Sequence, residues 1–524
     1  MNRIQILDCT LRDGGYINDF HFGQEGIRKI ISLLTSANID IIECGFLEDC
    51  DYDPDYSLFS SVEQISQFLP KDHRHSMYVA MACYGEYSLE NLSDYDGSSI
   101  DGIRVTFHYN EVEGALEYCR QVIAKGYKVF IQPVGTTSYS DSQLLYLISR
   151  VNELSPYAFY LVDTLGLMFK EDVLRFIKLI DNNLKSTIHF GFHSHNNLQL
   201  SYSNCQVIAE IPTDRIVSLD SSVYGMGRGA GNLNTELIAN YLNQKEYRYD
   251  VEPILEIVDS MIIKIKEQFF WGYDVPHYLA AINGCHPNYA SYLSNKNTLT
   301  VRNIGTILRM IPQEKRSLFN KELAEEKYKE FQSNEIDDSK SISYLSSEMA
   351  GRNVLVLAPG PSIENFQSRI KEKIKEENCI VVSIGFVPDF LDVDYVFLSN
   401  KKRYDTTFNP SGKDLKLIHT SNINFDNPDT LVVNYSSLID SNDVIIDNAG
   451  MMFFNLLLKL CPQRVLVAGM DGYLVSDVNY YQDRLAYKQD EEHMQQLNSS
   501  ISHKFSELKE QLCIEFITPT RYKI

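Results

Sequence analysis

Two histidines separated by one residue, His193 and His195 in HSHNN, are the residues of this chain best suited to chemistry. In an extended segment, residues i and i+2 project to the same side, so both imidazoles can face one point. With one carboxylate they would form a two-histidine, one-carboxylate set, which leaves coordination positions open for substrate. Such an open site suits a catalytic divalent metal. The alternative is a pair of polar loop histidines.

Candidate partners for these histidines fall where short apolar runs end. They are Asp8, Arg12, Asp13, Glu43, His108, Asp163 and Thr164. If the runs are parallel strands, their carboxyl ends meet on one side of the fold and bring these side chains together. A surface turn could carry the same residue types, so a single position indicates little. The presence of such residues at the ends of several apolar runs is what indicates a site.

A glycine-rich stretch, GMGRGAGN (225–232), follows another apolar run. Glycine allows backbone to approach a ligand closely, and Asn232 at its end can supply a further oxygen to a metal. A flexible turn and a phosphate-binding loop are the alternatives for this pattern.

A repeated β–α pattern from residue 3 to about residue 240 would bring these positions together. The predicted strands are 4–8, 39–45, 76–81, 102–107, 127–133, 158–163, 187–192 and 215–220. Most are almost continuously apolar, as strands buried on both faces should be. Eight such units predict a (β/α)8, or TIM, barrel with its active site at the carboxyl ends of the strands. A doubly wound open sheet is the structural alternative.

The 524 residues exceed one ordinary domain, and the pattern divides them into four parts. Residues 1–250 form the predicted barrel, 251–331 a helical extension or lid, and 332–352 a polar, serine-rich linker. Residues 353–524 repeat an α/β pattern and are predicted to form a smaller Rossmann-like open sheet. The expected fold class is therefore α/β throughout.

Composition excludes several classes of function. A net charge of −22 argues against a general nucleic-acid-binding surface. No apolar run is long enough to span a membrane, and the N-terminus does not have the pattern of a signal peptide. Ten scattered cysteines without a C-x-x-C pair indicate reduced thiols. We expect a cytoplasmic homo-oligomer that acts on small molecules.

DCTLRDGG, HSHNN and GMGRGAGN together resemble the motifs of the HMGL-like (DRE-TIM) metal-dependent lyases, aldolases and synthases, over about residues 1–290. The resemblance is closest to the 4-hydroxy-2-oxovalerate aldolases. It implies a divalent metal, Mn2+ or Mg2+, held by Asp13, His193 and His195, with Arg12 beside an enolate oxygen. The implied reaction forms or breaks a carbon–carbon bond between a pyruvate-type enolate, from a 2-oxo acid, and an aldehyde or sugar.

One position departs from this resemblance. The aldolases have a histidine shortly after TLRDG as acid–base residue, and this chain has Tyr16 there. Tyr16 would then move the proton, with its pKa lowered by the metal and an arginine. His108, Tyr278 and His286 are the other candidates, and the segment 273–290 resembles one that covers such sites.

Glu43 and Asp163 complete the predicted catalytic set, in which they orient ligands and water. Two other functions remain open. One is a Claisen-type synthase that uses an acyl-CoA and a 2-oxo acid. The other is a non-catalytic barrel that serves as a scaffold for the C-terminal domain, although a complete metal set counts against it.

The C-terminal domain resembles the nucleotide-binding domains of sialyltransferase-like surface-polysaccharide proteins more weakly, through NVLVLAPGPSIENF, SIGFVP and VLVAGMDGY. This implies a nucleotide or nucleotide-sugar ligand and a role in surface-glycan or activated-sugar biosynthesis. The APGPS loop would present N–H groups and a hydroxyl to an anion. The predicted nucleotide-binding residues are Gly360, Pro361, Ser362 and Asp471. A tight turn capped by Ser362 is the alternative.

Overall fold

The computed structural model describes residues 3–71, 76–407, 415–423, 430–475, 478–482, 485 and 491–523. The chain forms two compact units. Unit 1 comprises Met1–Ser291 and Pro312–Phe319, and unit 2 comprises Tyr292–Ile311 and Asn320–Ile524. The segment 251–331, expected as one helical extension, is therefore divided between the two units.

Unit 1 is built on a closed barrel of eight parallel strands. The strands of this unit are β1 (Arg3–Asp8), β2 (Ile41–Leu47), β3 (Leu58–Phe59), β4 (Met77–Cys83), β5 (Gly102–Phe107), β6 (Lys128–Pro133), β7 (Ala158–Asp163), β8 (His189–Ser194) and β9 (Ile216–Ser221). They pair in the order β1-β9-β8-β7-β6-β5-β4-β2, β1 pairs with β2 to close the barrel, and β3 extends the edge beside β2. The predicted TIM barrel is confirmed, and the open-sheet alternative for this region is wrong.

Helices alternate with the barrel strands, further helices follow β9, and the last of these continues past Ser291 into unit 2. They are α1 (Gln24–Ser36), α2 (Val62–Ser66), α3 (Val112–Ala124), α4 (Asp141–Leu154), α5 (Lys170–Asn183), α6 (Ser201–Glu210), α7 (Thr235–Asn243), α8 (Glu252–Ile257), α9 (Ile263–Gln268), α10 (Val275–Ile282) and α11 (Pro287–Asn295). In α1, Ile27, Ile30, Ile31 and Leu34 are buried. Their spacing places one apolar stripe against the strands, which is why this sequence forms a barrel helix.

Unit 2 contains a second parallel sheet. Its strands are β10 (Asn353–Leu357), β11 (Ile380–Ile384), β12 (Tyr395–Leu398), β13 (Lys416–Thr420), β14 (Leu431–Val433), β15 (Arg464–Ala468) and β16 (Ile514–Phe516). The order is β14-β13-β12-β11-β10-β15-β16, and the sheet is open. From β10 the chain adds strands β11 to β14 on one side and then returns to add β15 and β16 on the other side. The connections on the two sides of β10 therefore run in opposite directions, which leaves a crevice at the carboxyl ends of β10 and β15. The second open sheet is confirmed, and β16 was not predicted.

Helices also surround this second sheet. They are α12 (Val301–Met310), α13 (Lys321–Gln332), α14 (Ser339–Met349), α15 (Ser362–Asn365), α16 (Gln367–Glu377), α17 (Lys401–Thr407), α18 (Ala449–Leu460) and α19 (Glu491–Lys509). Helix α14 lies inside the segment expected as a linker, and its Leu345 and Met349 are buried in the core of unit 2. Within the described ranges, no helix is both long and apolar enough to cross a bilayer.

Candidate functional site

Asp13, His193 and His195 form a cluster beyond the carboxyl ends of β1 and β8. Their candidate ligand atoms all lie within 4.8 Å of one another. The two imidazole centroids are 5.2 Å apart, because His193 belongs to β8 and His195 follows immediately after the strand. The fold therefore brings together the three residues that the resemblance assigns to a metal.

A tight turn after β1 positions Asp13. The N–H groups of Arg12 and Asp13 donate to the carbonyl of Cys9 at 3.1 and 2.8 Å. Gly15 is needed next, because a Cβ at this position would lie 2.3 Å from Cδ1 of Phe20. The short turn thus directs two charged side chains into the barrel mouth.

Arg12 is held by two carboxylates. Its Nε donates to Oε2 of Glu43 at 2.9 Å, and its Nη1 donates to Oδ1 of Asp13 at 2.6 Å. All three side chains are at least nine-tenths buried. Charge-assisted hydrogen bonds in such an environment fix the guanidinium in one orientation. Glu43 therefore orients Arg12, and its expected role in orienting ligands and water stays a prediction.

A second buried arginine, Arg104 on β5, connects the two sides of the site. It donates through Nη1 to Oε2 of Glu43 at 2.7 Å and through Nη2 to Asp220. Asp220 in turn lies 3.0 Å from Nδ1 of His193. If Nδ1 donates to this carboxylate, the lone pair of Nε2 is left for a metal. The network Glu43–Arg104–Asp220 thus orients Arg12 at one end and His193 at the other.

Sequence reasoning missed Arg104 and Asp220. The available signal was a charged residue inside the apolar run GIRVTF and another at the end of RIVSLD. Charged groups are rarely buried unless they are paired, so each of these two charged side chains required a partner of opposite charge elsewhere in the fold.

Electrostatics favour the ionised form of Asp13 and the neutral form of His195. Burial alone would raise the pKa of Asp13, but Arg12 and then the two histidines hold it well below its usual value. Burial lowers the pKa of His195 to about 3, although Asp13 opposes the shift. An ionised carboxylate and a neutral imidazole are the forms that coordinate a cation.

Asn232 lies beside the cluster. Its Nδ2 donates to Oδ2 of Asp13 at 2.6 Å, while its Oδ1 is buried and has no hydrogen-bond partner in the described part of the chain. The close approach depends on Gly227, where a Cβ would lie 2.3 Å from Nδ2 of Asn232 and 2.8 Å from Oδ2 of Asp13. A buried amide oxygen without a donor fits a cation ligand, because such an atom is otherwise costly.

Tyr16 is at the edge of the site, and the guanidinium of Arg228 stacks on its ring at 3.5 Å from the centroid. Burial raises the pKa of the Tyr16 phenol, and Arg228 and Arg12 oppose the shift only in part. The lowered pKa expected from the sequence requires a bound metal as well as an arginine, and the two arginines by themselves do not outweigh burial. Arg228, in the glycine-rich stretch, was not singled out from the sequence.

The remaining acid–base candidates differ in position. His108 is exposed, and its backbone N–H donates to Glu111, so it is not part of the metal cluster. Tyr278 is 38% exposed. Burial, reinforced by Arg228, lowers the pKa of His286 to about 4, which places this histidine near the glycine-rich stretch. His277, which was not predicted, also lies beside this stretch. Its Cδ2 would be 3.3 Å from a Cβ placed on Gly229.

Asp163 holds the loop after β7. Its two carboxyl oxygens accept the N–H groups of Leu167 and Met168 at 2.9 and 3.0 Å. Its backbone carbonyl accepts the N–H of His195 at 3.2 Å. Burial raises the pKa of Asp163 to about 6, although the two N–H donors oppose the shift. The observed contacts are those of a positioning residue.

In unit 2, Gly360 and Asp471 line a cavity of 210 Å³. The N–H and hydroxyl of Ser362, however, donate to the two oxygens of Asp471 at 2.7 and 2.5 Å. Pro361 has no N–H to offer. The donors of Ser362 are therefore bound to a carboxylate of the same chain, and anion binding at this loop stays a prediction. Ser362 does not cap its helix, since Pro361 holds the N-cap position.

Residues 106–261 match the family model described as HMGL-like. An oxaloacetate decarboxylase from Mycobacterium tuberculosis is 26% identical over 265 residues, which are 49% of this chain and 75% of that protein. A 4-hydroxy-2-oxovalerate aldolase from Pseudoalteromonas translucida is 24% identical over 275 residues, which are 51% and 78% of the two chains. The crystal structure of HMG-CoA lyase from Brucella melitensis aligns at 16% identity over 49% of this chain and 96% of that chain, with a TM-score of 0.39.

Proposed function

On the premise that unit 1 carries an HMGL-like lyase domain, we propose that the protein is a divalent-metal-dependent aldolase acting through a pyruvate-type enolate. The observation that carries the proposal is the Asp13, His193 and His195 cluster, with ligand atoms within 4.8 Å and Arg12 bonded to Asp13. Relatives named as an aldolase and a decarboxylase support the same class of carbon–carbon bond chemistry.

Asp13, His193 and His195 would hold the cation, with Oδ1 of Asn232 as a further ligand. One carboxylate, one amide oxygen and two imidazoles suit Mn2+, and Mg2+ is the alternative. When bound, the cation supplies Lewis-acid polarisation of the substrate's 2-oxo group. The unpartnered, buried oxygen of Asn232 is the feature of this chain that supports the fit.

Arg12 would stabilise the negative charge that develops on the enolate oxygen. Its bonds to Glu43 and Asp13 use two of the five guanidinium N–H donors, so the others can face the substrate. Because the group is already oriented, it costs no reorganisation when the charge appears. One such donor typically contributes about 3 kcal/mol to transition-state stabilisation.

Tyr16 is the proposed proton carrier. A phenol with a raised pKa is protonated at neutral pH and is a weak acid, which can still protonate a strongly basic alkoxide. In the condensation direction, Tyr16 would donate its proton to the alkoxide formed from the aldehyde. In the cleavage direction, Tyr16 would first lose its proton to solvent, and its phenolate, beside the Arg228 guanidinium, would then accept the proton of the substrate's 4-hydroxyl.

The test is pyruvate release from a panel of 4-hydroxy-2-oxo acids by Mn2+-loaded protein, coupled to lactate dehydrogenase. We expect release that disappears with EDTA and in His195→Ala. Oxaloacetate belongs in the panel, because its decarboxylation yields the same enolate and one relative is named for that activity. Release from oxaloacetate alone would replace the aldolase with a decarboxylase.

Absence of release from every substrate, by protein that still binds the metal, would overturn the aldolase. Free CoA formed from acetyl-CoA and a 2-oxo acid would then favour the Claisen-type synthase. Failure to bind a metal would favour the non-catalytic scaffold.

The role in surface-glycan or activated-sugar biosynthesis remains part of the proposal and rests on the weak resemblance of unit 2. Condensation of pyruvate with a sugar aldehyde faster than with acetaldehyde would support it. Equal rates with simple and sugar aldehydes would count against it. Cytoplasmic location and a homo-oligomeric state stay predictions from the sequence.

A further inference from the structure

Unit 2 contains a cavity that the proposed aldolase chemistry does not use. It has a volume of 210 Å³ and is lined by residues that follow β10, β11, β12 and β15 and by the start of α18. It therefore lies at the carboxyl ends of the strands, where strand order reverses between β10 and β15. In open parallel sheets this is the position where ligands bind.

A buried hydroxyl, that of Ser399, forms part of the cavity wall. Ser399 follows β12, is 4% exposed and lines the cavity. Its Oγ has no hydrogen-bond partner among the residues that the structure describes. Since buried polar groups are almost always hydrogen-bonded, this hydroxyl indicates a polar ligand atom in the cavity.

Positive charge lines the same cavity. Arg403 is 8% exposed, and its Nη1 donates to the carbonyl of Leu485 at 3.0 Å. Ala449 and Gly450, the first two residues of α18, also line the wall. The first-turn N–H groups of a helix have no intrahelical partners and carry partial positive charge. A buried guanidinium, an unpaired hydroxyl and a helix N-terminus together favour a phosphate group.

Carboxylates supply a second type of recognition. Asp447 lines the cavity and accepts a hydrogen bond from Tyr328. Asp471 lines it as well and is bound to Ser362. A carboxylate has several acceptor positions, so each can still receive ligand hydroxyl groups. Asp471 is bound to the loop around Ser362 and would repel a phosphate there, so the phosphate is placed toward Ser399 and the first turn of α18. Asp447 lies just before this helix, and burial raises the pKa of its carboxyl, which favours the neutral form beside a phosphate.

We propose that unit 2 binds a phosphate ester of a hydroxyl-bearing molecule, either a nucleotide or a sugar phosphate. Ser399, Arg403 and the first turn of α18 hold the phosphate, and the two carboxylates accept the hydroxyls. This site does not depend on the aldolase proposal, and its phosphate position differs from the one that the APGPS motif suggests.

The test is isothermal titration calorimetry of the full-length protein in EDTA. The probes are the four ribonucleoside 5′-monophosphates, glucose 1-phosphate and inorganic phosphate. Ala449→Asp places a negative charge in the first turn of α18, where an acidic residue favours the helix, so the fold should be retained. Ala449→Asn is the matched neutral variant. Ser399→Ala removes the unpaired hydroxyl, and Ser383→Ala is its control, because Ser383 is buried and donates to the carbonyl of Phe386.

We expect at least one ester to bind more tightly than inorganic phosphate. Ala449→Asp should weaken it tenfold or more relative to Ala449→Asn, and Ser399→Ala at least threefold relative to Ser383→Ala. Preference for nucleotides or for glucose 1-phosphate identifies the class of ester. The proposal is overturned if no ester binds, if inorganic phosphate binds as tightly as every ester, or if Ala449→Asp and Ala449→Asn bind equally.

Discussion

The Asp13, His193 and His195 cluster of unit 1 and the cavity of unit 2 both lie at the carboxyl ends of parallel strands, yet the two regions use their charged residues differently. In unit 1, Arg12 and Arg104 bind carboxylates from several strands and so orient the groups that face the site. In unit 2, the most recognisable motif is closed on itself through Ser362 and Asp471. Such a position becomes a site only where the fold leaves donors or acceptors unsatisfied.

Removal of a histidine from the cluster in unit 1 should have the largest effect on activity, and it tests whether this cluster holds a catalytic metal. We expect His195→Ala to reduce Mn2+-dependent pyruvate release at least ~1,000-fold, because metal catalysis contributes several kcal/mol. Metal content measured by mass spectrometry should fall in parallel. His503→Ala, on the exposed face of α19, should match wild type in both measurements.

Arg104 tests whether pairing between strands maintains the unit 1 site. Arg104→Met would leave Glu43 and Asp220 as buried charges without their common partner. We expect a loss of about 3–5 kcal/mol in the free energy of unfolding measured in urea. The triple variant Glu43→Gln, Arg104→Met, Asp220→Asn should recover part of it. A single variant as stable as wild type would show that the network is dispensable.

Asp8 provides a contrast within unit 1, since it is buried among neutral donors, Thr10 and Thr235, instead of arginines. Burial raises its pKa to about 6, so the folded state binds the proton more tightly than the unfolded state. The stability that this proton contributes is present below pH 4 and is lost as pH rises through 6. The destabilisation caused by Asp8→Asn should therefore shrink by about 2 kcal/mol between pH 4 and pH 7. A constant difference in unfolding free energy would contradict this.

A substitution of Ser362 should have the smallest effect, and it tests whether the loop around this residue takes part in ligand binding in unit 2. Ser362→Ala removes the hydroxyl bond to Asp471, and a loss of about 1 kcal/mol in stability is expected. Binding of a phosphate ester should change less than twofold, because the hydroxyl is already used within the chain. A tenfold loss of binding without a loss of stability would restore the loop as the phosphate site.

Local patterns predicted much of unit 1. Its short, continuously apolar runs are typical of parallel strands that are buried on both faces. The H-x-H pair at a strand end predicts that both imidazole rings project to one side of the strand. The linker prediction failed where Leu345 and Met349, one helical turn apart in a polar segment, supply apolar contacts to the core of unit 2. Two such residues are too weak a pattern to detect without the surface that they pack against.

The barrel and the second sheet could be predicted from the sequence alone, because they depend on the periodicity of apolar residues along the chain. The candidate metal ligands could be predicted from residue type and spacing. Tertiary structure decided which charges are neutralised. Arg104 meets Asp220, 116 residues away, and Ser362 meets Asp471, 109 residues away. Burial then sets the pKa of Tyr16 and His195. Those properties depend on which distant groups share a water-poor environment, and no local pattern contains that information.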